Sequence, residues 1–266
     1  MTIAIAWVAH QADGLRHLYF ASDSRTRGTY VFDGCPKIMT LPRSDSAICF
    51  AGELDWSYPL MMQISNAIAA HGPSRHRNLD IVRLKDHLLR IATDLVNSAT
   101  QSIEEFNAES AAFIFGGYSW HRADFVVWTF TYNRNRKKFT ARPSNNFHPR
   151  LAQIAFIGDW SSPYRTQLVR SLNNAPENSR KVEHEPLIEL SKLLRSRGPD
   201  DSIGGAPQVI RIGAHMNTRT FCVPWGNPEY PTLYGRKLFE YENCDFWSIN
   251  PNTGLISPPT TTWTIR

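Results

Sequence analysis

The chain opens with β-rich runs at Thr2 to Ala9, Leu18 to Ser22 and Ala47 to Ala51, punctuated by Gly14, Gly28, Gly34 and Pro42. After Gly52 the apolar period changes to that of a helix, with Leu60, Ile64, Ala67 and Ile68 on one face and a stop at Gly72-Pro73. A second helix follows, its stripe formed by Ile81, Leu84, Leu88, Ile91, Leu95 and Ala99, with Asp80 or Asn78 as N-cap. Strand-like runs return at Ala111 to Phe115, Phe125 to Thr131 and Gln153 to Ile157. Helical segments near Tyr164 to Leu172 and Pro186 to Arg195 come next, and then a hairpin of Gln208 to Ile212 and Thr220 to Val223. Strand pairs separated by helix pairs do not fit a doubly wound parallel sheet. They predict an α+β chain built as a four-layer αββα sandwich, two antiparallel sheets between helix layers.

Residues 1–223 are expected to form this domain. Residues 224–266, rich in Pro, Asn, Thr and aromatics such as Tyr230, Tyr234, Phe239, Tyr241, Phe246 and Trp247, read as an extension packed on the domain or on a neighbouring subunit. With 266 residues, 42% hydrophobic and 20% charged, the chain is long enough for a full core. No apolar run is long enough to cross a bilayer, and the N-terminus lacks the basic and apolar regions of a signal peptide, so a soluble, cytoplasmic protein with no membrane partner is expected. Cys35, Cys49, Cys222 and Cys244 show no C-x-x-C spacing and read as reduced thiols. The net charge of +5 is modest, and the run Arg134 to Lys138 reads as a solvated hairpin tip, so no nucleic-acid partner is expected. Neither metal-ligand spacing nor a nucleotide motif is present, and no cofactor is expected.

The candidate chemistry lies at the N-terminus. Removal of Met1 would leave Thr2 with a free α-amine, giving one residue both a hydroxyl nucleophile and a base whose pKa of about 7.7–8.0 suits proton transfer near neutral pH.

Downstream context makes this Met-Thr start more specific. Ala21-Ser22-Asp23-Ser24-Arg25, followed by Gly28 and Tyr30, resembles a segment of proteasome β subunits and bacterial proteasome-like threonine peptidases, of the N-terminal nucleophile (Ntn) hydrolase family. Lys37-Ile38 with Leu41 is similar to that family's lysine strand, and Phe50-Ala51-Gly52 to its strand-to-helix corner. Phe113 to Tyr118, Phe156-Ile157-Gly158-Asp159 and Ser202-Ile203-Gly204-Gly205 fall in the family's order. The resemblance implies an Ntn hydrolase fold with Thr2 as nucleophile, Lys37 as the neighbouring ammonium and Asp23 as its carboxylate partner. It further implies the Gly52 N–H as oxyanion donor and Asp200 in the place of a further catalytic Asp. The alternatives are a structural ion pair for Asp23 and Lys37, and turn punctuation for Gly52.

Two positions depart from the pattern. Asp159 and Ile203 stand where serines supporting the terminal amine are expected, with Ser161 and Ser202 as substitutes nearby. A threonine-type peptidase acting on a peptide or amide substrate and assembled as a homo-oligomeric ring is the reading the resemblance implies, with any ATP-dependent unfoldase partner unspecified. A small-amide amidohydrolase and a non-catalytic scaffold are the alternatives.

Overall fold

A computed structural model describes residues 2–10, 14–98, 111–144, 147–149, 151, 153–174, 183–242 and 245–259. Met1, Ala99, Cys244 and the last Thr run lie outside these residues. Along the chain run β1 (Ala4–His10), β2 (Arg16–Ser22), β3 (Thr26–Arg27), β4 (Val31–Phe32), β5 (Ile38–Thr40) and β6 (Ser46–Ala51). Then come α1 (Leu54–Ala70), α2 (Gly72–Arg75), α3 (Ile81–Asn97), β7 (Ala112–Ser119), β8 (Asp124–Asn133), β9 (Lys138–Pro143) and β10 (Gln153–Ile157). They are followed by α4 (Ser161–Asn174), α5 (Glu185–Arg195), β11 (Gln208–Gly213) and β12 (Thr218–Thr220). The last elements are β13 (Val223–Trp225), β14 (Tyr230–Leu233), β15 (Arg236–Lys237), β16 (Ser248–Ile249) and β17 (Ile256–Ser257).

Two five-stranded antiparallel sheets dominate, in the orders β10-β1-β2-β11-β12 and β5-β6-β7-β8-β9. Strand side chains alternate between faces, and the alternation sorts the core. Ile3, Ile5, Trp7 and Tyr19 of the first sheet pack with Tyr164 and Leu168 of α4 and Leu187 and Leu190 of α5. Their neighbours Ala4, Ala6, Val8, Leu18 and Phe20 point the other way and meet Ala47, Cys49, Ile114, Phe125 and Val127 of the second sheet. The far face of that sheet, with Ile48, Phe50, Phe113 and Phe115, packs on Leu60 and Ile64 of α1 and Leu84 and Leu88 of α3. The chain is thus a mixed α/β fold with strictly antiparallel main sheets.

The α3 stripe falls where the 3.6 period puts it, and Asp80 is the N-cap, accepting from the Val82 N–H at 2.9 Å. The basic run lies at the β8–β9 turn. The second hairpin arm is corrected from Thr220–Val223 to Thr218–Thr220: the chain leaves the sheet at Cys222, whose N–H donates to Trp247 O (2.9 Å) and whose carbonyl accepts from the Ile249 N–H (3.0 Å). Trp225, Trp247 and Ile256 of the C-terminal segment pack against the α4–α5 side of the first sheet. Cys35 and Cys49 are free and buried, whereas Cys222 is disulfide-bonded, which corrects the reading of all four cysteines as reduced. Among the described residues no helix is long and apolar enough to cross a membrane.

Candidate active site

Thr2 precedes β1 and is 2% exposed. The register beside it is fixed by two bonds: the Ile3 N–H donates to Asp23 Oδ1 at 3.1 Å, and the Asp23 N–H donates to the Ile3 carbonyl at 3.2 Å. Asp23, the first residue beyond β2, is fully buried. Its Oδ2 accepts from the N–H groups of Arg25 (3.2 Å) and Gly204 (3.3 Å), so the carboxylate is satisfied by backbone donors as well as by its cation.

That cation is Lys37. Its Nζ donates to Asp23 Oδ1 at 2.8 Å and to Thr2 Oγ1 at 3.0 Å, with 1% of the residue exposed. The lysine backbone is pinned where the two sheets meet: its N–H donates to Gln208 Oε1 of β11 at 2.9 Å, and its carbonyl accepts from the Phe50 N–H of β6 at 3.1 Å. Gln208 in turn donates from Nε2 to the Cys35 carbonyl at 2.5 Å. A polar side chain opening a mostly apolar strand was the available signal for Gln208, which sequence reasoning passed over.

Gly52 sits between β6 and α1 with φ +116°, a backbone conformation that side-chain-bearing residues rarely adopt. It lines, with Thr2, Lys37, Phe50, Glu53 and Tyr30, a cavity of about 430 Å³, within the usual range for small ligand sites. The sequence motif therefore converges on one cavity at Thr2, Lys37 and Gly52, with Asp23 behind.

Asp200 is placed elsewhere. Its side chain is exposed, it does not line the cavity, and its carbonyl accepts from the Arg27 guanidinium. The loop that carries it serves the site through its glycines. A Cβ on Gly204 would collide with the Arg25 guanidinium, and one on Gly205 (φ +73°) with the Ser24 hydroxyl. Arg25 is fixed by a bidentate pair with Asp33 at 2.6 and 2.9 Å and by the Gly198 carbonyl at 2.6 Å; the Asp33 bonds raise its pKa. Neither Arg25 nor Asp33 received a role from the sequence, although Arg25 belongs to the motif.

At the two departing positions, Asp159 is exposed and Ile203 is fully buried among apolar side chains of the α4–α5 side. Ser202 Oγ accepts from Trp160 Nε1 at 3.1 Å, and Ser161 begins α4. Gly158 (φ +98°) packs directly on the Thr2 carbonyl, which leaves no room for a side chain. Among the described residues no group of three His, Cys, Asp or Glu side chains is arranged to hold a metal ion.

Chemically, a buried hydroxyl within hydrogen-bond reach of an ammonium can lose its proton at lower cost, because the cation stabilises the alkoxide as it forms. The ammonium is itself paired with a carboxylate that three N–H groups also satisfy.

No family model matches this chain, and no curated protein does. Among solved structures, it is similar to an Anbu (Gly-1) mutant from Hyphomicrobium sp. strain MC1, at 17% identity and a TM-score of 0.54, over 82% of this chain and 84% of that one. It is also similar to Anbu (ancestral beta-subunit) from Yersinia bercovieri, at 16% identity and a TM-score of 0.56, over 86% of each chain. These findings correct the family drawn from the sequence motifs. Both of these structures are Anbu proteins, and at this identity what is shared with them is the proteasome-like fold alone.

Proposed function

We propose that the chain is a threonine-type amide hydrolase, with Thr2 as nucleophile once Met1 is removed, working from the edge of a four-layer αββα sandwich. The observation that carries the reading is the buried Lys37 Nζ, 3.0 Å from Thr2 Oγ1 and 2.8 Å from Asp23 Oδ1. In the reaction the α-amine of Thr2 takes the hydroxyl proton and Oγ1 attacks the substrate carbonyl. The resulting oxyanion is received by the Gly52 N–H, and Lys37 stabilises the alkoxide. Collapse expels the amine leaving group, which takes the proton from the α-ammonium. Water, deprotonated by the same amine, then cleaves the Thr2 ester and releases the acid. The mixed lining of the cavity, with Tyr30, Glu53 and Arg25, suits a peptide or another amide.

Residues 1–223 form the catalytic unit in this reading, and 224–266 an extension that packs on it. Similarity to a β-subunit supports a homo-oligomeric assembly, which would screen an unselective nucleophile from folded proteins. The exposed Asp159 and apolar Ile203 favour a second reading, a non-catalytic scaffold, because neither supplies the hydroxyls that would support the terminal amine.

Intact mass and labelling by an electrophile selective for N-terminal threonine separate the two. The hydrolase reading expects loss of Met1, one label per chain and none in Thr2→Ala, whereas retained Met1 or undiminished labelling of Thr2→Ala overturns it.

A further inference from the structure

At the other end of β2 from Asp23, about 20 Å away at ~3.3 Å per residue, the first sheet carries a concentration of positive charge that the proposed chemistry does not use. Arg211 on β11 stands directly opposite Arg219 on β12, and Tyr19 on β2 stands opposite Arg211 on its other side. Like charges facing each other across an antiparallel pair are destabilising. Neither arginine forms a direct ion pair with a carboxylate among the described residues, and Arg211 donates to the Tyr19 hydroxyl. Burial, then the neighbouring Arg211, lowers the Arg219 pKa. Glu183, the acid on this side, is engaged elsewhere, accepting from Tyr19 OH at 2.9 Å with its other oxygen 3.8 Å from His184 Nε2.

Both guanidiniums are nevertheless held in place. Arg219 lies 4.3 Å over the Trp247 ring and Arg211 5.6 Å over that of Phe221, so the pair is oriented rather than splayed into solvent. Between them opens a cavity of about 80 Å³ lined by Arg16, His17, Arg211, His215, Asn217 and Arg219. Arg16 binds Asp124 through Nη1 at 2.6 Å, while its Nε is buried with no hydrogen-bond partner. Arg16 lies on the face of β2 that meets the second sheet, with Leu18 and Phe20, so the oriented guanidiniums on the helix-side face are those of Arg211 and Arg219.

We infer that this cavity binds a small, multiply charged oxyanion of the phosphate or sulfate type. Arginine forks match tetrahedral oxyanions, and such an ion would screen the Arg211–Arg219 repulsion. The inference is independent of the hydrolase reading.

The test is thermal unfolding of the full chain with inorganic phosphate, against chloride at equal ionic strength. Phosphate at ten times its dissociation constant is expected to raise Tm by about 3–5 °C through binding to the folded state. Arg219→Gln should abolish that rise and, with the repulsion gone, melt at or above the wild type in phosphate-free buffer. Arg165→Gln, which removes an arginine stacked on Phe147 elsewhere on the surface, should keep the full response. Equal effects of phosphate and chloride, or a phosphate response retained in Arg219→Gln, would overturn the inference. Should that variant fail to fold, equilibrium dialysis of labelled phosphate against the wild type decides, with absence of saturable binding at one ion per chain counting against it.

Discussion

Replacing Lys37 by Met tests whether the buried ammonium acts on Thr2 or only completes a structural pair. Methionine keeps most of the aliphatic stem but leaves Asp23 buried without its cation, a change that costs about 3–5 kcal/mol in known buried pairs. The N–H groups of Ile3, Arg25 and Gly204, at 3.1–3.3 Å, still satisfy the carboxylate, so the lower end, about 3 kcal/mol, is expected. Against a typical stability of about 5–15 kcal/mol, the variant should stay folded. A positioned group stabilising transition-state charge contributes about 3–4 kcal/mol, or roughly two to three decades in rate. Labelling of Thr2 by an N-terminal-threonine electrophile should therefore slow by about 100- to 1,000-fold while urea unfolding reports a folded chain. Asp23→Asn gives the contrast, because it removes the carboxylate charge and leaves the ammonium beside Thr2. A folded Lys37→Met variant labelled at the wild-type rate would refute the role assigned to the lysine.

Gly158→Ala should lose about 2–4 kcal/mol from left-handed backbone strain and overpacking against the Thr2 carbonyl, and its folded fraction should label slowly; calorimetry with labelling checks both. Asp200→Ala should change labelling by less than about twofold, as expected for an exposed substitution outside the cavity, and a large loss would return Asp200 to the site. His184, whose pKa is lowered mainly by burial, with Arg211 adding and Glu183 opposing, is held neutral in the fold. The unfolded chain then binds the extra proton first, so stability should fall as pH drops below about 6.5 toward the folded pKa, and urea titrations of His184→Phe should be flatter in that window.

The main strands and long helices were legible because their periods are uninterrupted: β1, β2, β6 and α3 each show the alternation or stripe that the core requires. The C-terminal strands were not, since β13 to β17 are two to four residues long and gain their order from the side chains they cover. Short elements carry too little pattern for a period of two to register. At the site, Thr2, Asp23, Lys37 and Gly52 were found through local motifs. Gln208 was not, because it acts on the backbone of Lys37, 171 residues away, and Asp33 was not, because only the β3–β4 hairpin turn brings it back onto Arg25. Asp200 is the converse case, matched by motif yet outside the cavity. Its alignment followed the Gly204-Gly205 pair, but those glycines are placed by Arg25 and Ser24, and that constraint does not extend to a side chain four residues earlier.

The same packing ties the C-terminal segment to the proposed chemistry. Gly235, at the β14–β15 turn with φ +84°, presses on Ser24, where any Cβ would clash with the serine Cβ. Gly205 presses on the Ser24 hydroxyl as well, so the residue after Asp23 is gripped between two left-handed glycines from segments 30 residues apart. Tyr234 adds a hydroxyl bond to Thr220 at 3.0 Å, which anchors that turn to β12. Asp23 cannot shift toward solvent without displacing this clamp, and Lys37 follows Asp23 because the carboxylate orients its Nζ. The C-terminal segment therefore bears on Thr2 through three intermediates without approaching it: Gly235 fixes the loop, the loop fixes the carboxylate, and the carboxylate aims the ammonium.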